Sequence, residues 1–193
     1  MTIIEEIRKE TAALHSRLDA LELTKRLMHK QVSKEDYSNY IQCFYALHAL
    51  IEPLLYQEAT HHIPNIDKNQ RMSALKADLE LLKVPELVMA VPVETSFISS
   101  KSYLGALYVM EGSRLGGRFI ARHLREWLLE NEVPAYHFLE ETPEVGWKEI
   151  LARVSTSEHN QRTEIIASAK YMFKFVEEVL ERAFTELNEK NKL

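Results

Sequence analysis

The sequence predicts an all-α protein: one domain of six to eight helices spanning residues 1–193. Three observations predict it. Apolar residues recur at three-, four- and seven-residue intervals along most of the chain. Alternating strand patterns are absent. Only 5 Gly and 6 Pro interrupt 193 residues, and no internal repeat or domain-scale linker is visible.

The elements follow in order. In residues 3–22 the apolar side chains Ile7, Leu14, Leu18 and Leu21 fall on one helix face. Ser33 with Asp36 forms a capping box ahead of a long helix through Tyr40, Phe44, Leu47 and Leu54, which Pro53 is expected to kink or end. Residues 60–70 read as a loop and 72–83 as a short amphipathic helix, after which Pro85 and Pro92 punctuate a connector. Ser99 or Ser100 is expected to cap a helix through Tyr103, Leu107 and Val109. Its pattern resumes over residues 119–129 beyond a glycine-rich middle. Residues 134–143 read as a loop and 146–155 as a short element. Ser157 is the expected cap of a last helix carrying Ile165, Met172, Phe175, Val179 and Phe184.

Composition narrows the function. The net charge is −5, so no global basic field points to nucleic acid or an anionic membrane. The longest stretch without Asp, Glu, Lys or Arg, residues 37–51, is too short and too polar to span a bilayer. The charged N-terminus lacks the apolar run of an export signal. A single cysteine, Cys43, excludes an intrachain disulfide framework, a multi-thiolate zinc site and a CxxC pair; the reducing cytoplasm is the expected location.

Four of the five glycines, Gly105, Gly112, Gly116 and Gly117, fall in the segment YLGALYVMEGSRLGGRF. Each glycine inside a helix costs about 1 kcal/mol relative to alanine, so something must offset the loss. Gly112 and Gly116 are one turn apart and leave a strip of bare backbone on one face. That strip suits a flat ligand lying against the main chain. It equally suits close helix packing or a glycine-capped helix end, and spacing alone leaves these readings open. A phosphate loop does not fit, because GSRLGG lacks the GxxxxGK[ST] order and no strand precedes it.

Of eight histidines, His29, His61, His62 and His137 have polar neighbourhoods that predict exposure, while His48 and His123 read as half-buried helix residues. His15 differs in its company. Asp19 lies one turn on, where its carboxylate can accept the ring Nδ1 proton, orient the imidazole and raise its basicity. Arg8, seven residues back on the same face, is placed to meet an acidic group of the same ligand. A carboxylate di-iron site fails, since only Glu58 and His61 give Glu-x-x-His. Cys43 reads as a buried structural thiol.

The segment GALYVMEGSRLGGRFIARHL resembles the distal helix of bacterial heme oxygenases, and TAALHSRLD resembles their proximal helix, in the same order and spacing. The resemblance implies an all-α, single-domain heme-oxygenase-like bundle with a kinked, Gly-rich distal helix. It implies His15 as the axial ligand to heme iron and Asp19 as the carboxylate that orients it. Gly112 and Gly116 let the distal helix lie over the porphyrin, with Ser113 and Gly117 as neighbours. Ser113 stands where several members carry an Asp that organises distal water. Arg8 and Tyr108 match positions that meet the heme propionates, and Lys170 and Lys174 are candidates for the same task from the last helix. Heme is both cofactor and substrate in this chemistry, and O2 is consumed. The implied products are biliverdin, CO and iron. Electrons come from a separate reductase or ferredoxin-type donor, because the chain carries no flavin, nicotinamide or iron-sulfur motif. Two rivals stand beside it: a heme-binding module that stores or senses without turnover, and a thiaminase-like enzyme on the same helical fold with a cysteine nucleophile. A pure interaction bundle comes third.

Overall fold

The computed structural model describes residues 1–63, 66, 70–98, 102–140 and 146–190. Helix α1 (Ile3–Asp19) starts at a capping box that the sequence reading did not single out: the Thr2 hydroxyl accepts from Glu5 N–H at 3.2 Å and the Glu5 carboxylate accepts from Thr2 N–H at 2.8 Å. The expected continuation to residue 22 is broken at Ala20. Leu21 and Leu23 are both buried just beyond it, and α2 (Glu22–Leu27) follows.

Helix α3 (Lys34–His62) opens on the expected Ser33–Asp36 box. It does not end at Pro53. The ring deprives the Ala49 carbonyl of its donor, but both residues lie on the exposed face, where water replaces the bond. Helix α4 (Gln70–Leu82) follows; of the loop expected over 60–70, residues 60–62 belong to the last turn of α3, Gln70 begins α4, and residues 64, 65 and 67–69 lie outside the described residues. The long helix α5 (Tyr103–Glu130) has Ser102 at its N-cap; Ser99 and Ser100 lie outside the described residues. A short α6 (His137–Glu140) lies within the stretch read as a loop, and α7 (Gly146–Ser155) has the expected bounds.

Helix α8 (Arg162–Lys190) is not capped by Ser157, whose hydroxyl instead donates to the Arg153 carbonyl and closes α7. Glu158 caps a 3-10 turn, His159–Gln161, that leads into α8. Among the described residues there is no strand, and no helix is long and apolar enough to cross a membrane.

Helix α8 is the centre of the bundle, with α5, α1 and α3 packed against it. Its apolar face, including Ile165, Met172 and Val179, is fully buried. The α5–α8 contact is unusually close at one point. A Cβ on Gly105 would sit 2.0 Å from the Ile165 carbonyl oxygen, so no larger residue fits there. Cys43 is fully buried in α3, and burial pushes its thiol well above the usual range.

Candidate functional site

A cavity of about 390 Å³ opens between a floor made by α1 and α8 and a roof made by α5 and α3. On the floor, His15 Nδ1 lies 3.0 Å from Asp19 Oδ2, the spacing one helical turn provides. Both side chains are 65% exposed, and the His15 ring rests 5.9 Å from that of Phe173. Arg8 reaches the same cavity from two turns earlier in α1.

The roof resolves the competing readings of the glycines. Helix α5 runs unbroken from Tyr103 to Glu130, and none of its glycines has a positive φ, so none is a helix cap. Gly105 serves helix packing, as its contact with α8 shows. Gly116 is the opposite case: nothing lies within 4 Å of where its Cβ would stand, and that space belongs to the cavity. Gly112 faces the cavity but is partly covered, since its Cβ would lie 3.3 Å from Cη2 of Trp147. Gly117 turns toward Leu139 of α6.

Arg8, His15, Asp19, Tyr108, Gly112, Ser113, Gly116 and Gly117 are thus brought to one cavity. Lys170 and Lys174 are not. Lys170 pairs with Glu10 of α1, and Lys174 is exposed. Helix α8 presents Phe173, Val176 and Leu180 to the cavity instead.

The structure adds a polar group that sequence reading passed over. His48, expected to be half-buried, is 0% exposed and lines the cavity. Its Nδ1 is 2.7 Å from Glu52 Oε1, while Nε2 is buried without a hydrogen-bond partner. Burial, then the nearby Arg71 and Arg114 charges, hold its pKa well below the usual imidazole value, so the ring is neutral at pH 7. Arg71, 2% exposed, donates from one Nη to the Met110 carbonyl at 2.9 Å and to Ser113 Oγ at 2.8 Å. The guanidinium also lies 4.5 Å over the Phe138 ring. Ser113 Oγ donates in turn to Met110 O at 2.7 Å. The His48–Glu52 spacing repeats that of His15–Asp19 and was readable in the sequence. Arg71 comes from α4, and only folding brings it to α5.

The remaining histidines have ordinary settings. His61 and His62 end α3 in exposed positions, and half-exposed His137 hydrogen-bonds buried Asp78 at 2.7 Å. Among the described residues no group of three or more His, Cys, Asp or Glu gathers to hold a metal ion. Two imidazoles line the mostly apolar slot, and the exposed one, His15, is the kind of donor that suits a planar metallo-ligand.

The residues present fit a heme in that slot. An oriented imidazole lies on one wall, and on the other is a strip of main chain where a side chain at position 116 would intrude. Comparison with known proteins agrees. The family model described as heme oxygenase matches residues 1–182. Heme oxygenase PigA of Pseudomonas aeruginosa is 29% identical over 177 residues, covering 88% of this chain and 87% of that protein. A heme oxygenase of Xanthomonas campestris pv. campestris is 37% identical over 108 residues, 54% of this chain and 63% of that protein. The fold is also that of the NO- and CO-bound heme oxygenase from Neisseria meningitidis, with a TM-score of 0.73 over 96% of this chain and 93% of that one at 22% identity. The heme oxygenase from Leptospira interrogans gives a TM-score of 0.67 over 94% and 100% at 16% identity. With nearly its whole length matched by the family model and the floor and roof of the slot in place, the chain belongs to the heme oxygenase family.

Proposed function

We propose that this heme oxygenase opens the heme macrocycle to biliverdin, releasing CO and iron, with His15 as the iron ligand. Electrons come from a separate reductase or ferredoxin-type donor, and the reaction belongs to the reducing cytoplasm, where Cys43 stays a thiol. Heme supplies the iron at which O2 is bound and reduced, and the macrocycle that is oxidised. The chain supplies placement and proton management.

The observation that carries this reading is the juxtaposition of His15 and Gly116 across one cavity. His15 Nε2 is the ligand atom, because Nδ1 is engaged by Asp19. Asp19 fixes the tautomer and makes the ring a better donor. Gly116 would present main chain rather than a side chain to the face of a heme opposite His15, and Gly112 lies one turn away on the same helix face. Arg8 would offer a guanidinium to the propionates, and Tyr108, which lines the same cavity, a hydroxyl.

Water on the roof side is held by the polar atoms available there. His48 Nε2 has no protein partner, and Ser113 Oγ is locked by Arg71 and Met110 into one orientation. With His48 neutral, its Nε2 is a hydrogen-bond acceptor for a water, and the positive charge on this wall is that of Arg71, which is engaged by Met110 and Ser113. Cys43 is buried and lies outside the cavity lining, so a thiol nucleophile of the thiaminase-like kind has no access.

The test is aerobic turnover of the heme complex with an electron donor and an iron chelator. The expected result is loss of the Soret band, growth of a bilin spectrum, trapped ferrous iron and release of CO. Stoichiometric heme binding with an unchanged Soret band would instead mark a storage or sensing protein.

A further inference from the structure

Resting on the heme oxygenase reading, we propose that Trp147 sets the in-plane seating of the macrocycle and so selects the meso bridge that is cleaved. A disc held only by an iron–imidazole bond is free to rotate about that bond. The bridge beneath the reacting oxygen therefore depends on what touches the rim of the disc. Floor and roof cannot supply that control alone, since they grip the faces.

Helix α7 is built to do so. It packs against both α5 and α1, tying the roof to the floor. Of its side chains only Trp147 lines the cavity. The indole is braced on two sides: its ring lies 5.2 Å from that of Tyr108, and Cη2 stands 3.3 Å from the position that a Cβ on Gly112 would take. Gly112 therefore does a different job from Gly116. At 116 the missing side chain leaves open space; at 112 it admits the indole. A Trp side chain has two rotatable bonds and a flat, rigid body, so a braced indole makes a stiffer stop than flexible propionates with a guanidinium. His15, Asp19, Leu115 and Gly116 also line the cavity but are exposed, unlike the braced indole.

Two readouts test this on the full-length heme complex. Proton NMR of the cyanide-ligated ferric complex counts seatings through the heme-methyl resonances, without turnover. Chromatography of the bilin from turnover counts cleavage isomers. Wild type is expected to give one dominant seating and one dominant isomer. Trp147→Ala is expected to add a second set of methyl resonances at about one tenth of the total or more, a minor state within ordinary reach of a packing change. A second isomer should appear in matching proportion. Trp147→Phe, which keeps a flat ring, is expected to restore the single seating.

Trp147→Ala with stoichiometric heme, one unchanged resonance set and one unchanged isomer would overturn the proposal. If that variant binds no heme, Trp147→Leu reads the same two quantities, and an unshifted seating in it also overturns the proposal. Wild type that binds heme but makes no bilin would contradict the proposed function, while the resonance count would still decide the role of Trp147.

Discussion

Two histidine–carboxylate pairs share the same one-turn spacing and each brings its histidine to one cavity, yet their environments differ completely. His15 and Asp19 are each 65% exposed and 3.0 Å apart. His48 and Glu52 are 0% and 4% exposed and 2.7 Å apart. A ligand donor must be reachable, and a disc entering the slot covers His15 as it binds. The buried pair is already finished as a piece of core, with one nitrogen tied to Glu52 and the other buried without a hydrogen-bond partner. The same motif thus yields a docking point in one setting and a fixed neutral dipole in the other. Solvent access, not spacing, separates the two.

The sharpest contrast comes from removing each carboxylate. Glu52→Ala leaves His48 Nδ1 buried without its partner and opens a void beside it, so a loss of about 3 kcal/mol in urea or guanidinium unfolding is expected. An unfolding midpoint equal to wild type would refute the buried-pair description.

The next effect is on the pH dependence of stability. In the unfolded chain an imidazole takes up a proton below about pH 6.5, whereas folded His48 does so only well below that value. Below pH 6.5 the unfolded state therefore binds the extra proton. Native stability falls as the medium is acidified, by up to about 1.4 kcal/mol per pH unit from this group. His48→Gln is expected to flatten the curve between neutral pH and the acid limb relative to wild type. A parallel curve would mean that His48 is not held neutral.

Asp19→Asn has the smallest effect on the protein and a selective one on its ligand. Global stability should stay essentially unchanged, because the pair is exposed. Heme affinity or turnover should fall roughly 10- to 100-fold, as expected when the carboxylate behind a ligating imidazole is lost. A large loss of stability, or wild-type heme affinity and turnover, would each remove the distinction drawn between the pairs.

Much of this was legible in the sequence, and the limits have physical causes. Helical periodicity located the long helices, and the Ser33–Asp36 box gave the start of α3 correctly. At Pro53, where a kink or an end is expected, the helix does not end, because a proline on an exposed helix face gives up a hydrogen bond that water can replace. The break at Ala20 was missed because tertiary burial of Leu21 and Leu23 outweighs a helical pattern that runs on locally. Within the site, His15 and the glycines were visible as a spacing.

The division of labour among those glycines was not visible, since it depends on what faces each one: an α8 carbonyl at Gly105, an indole at Gly112 and open space at Gly116. Arg71 and Trp147 carried no local signal at all, because these side chains of α4 and α7 reach α5 only through the fold.

The central claim is that the exposed imidazole, not the buried one, holds the iron. The iron–histidine stretching band in the resonance Raman spectrum of the ferrous heme complex tests it directly. The band is expected to be present in wild type and in His48→Gln, lost in His15→Ala, and restored to His15→Ala by added imidazole. A band that persists in His15→Ala without added imidazole, or disappears in His48→Gln, would contradict the account.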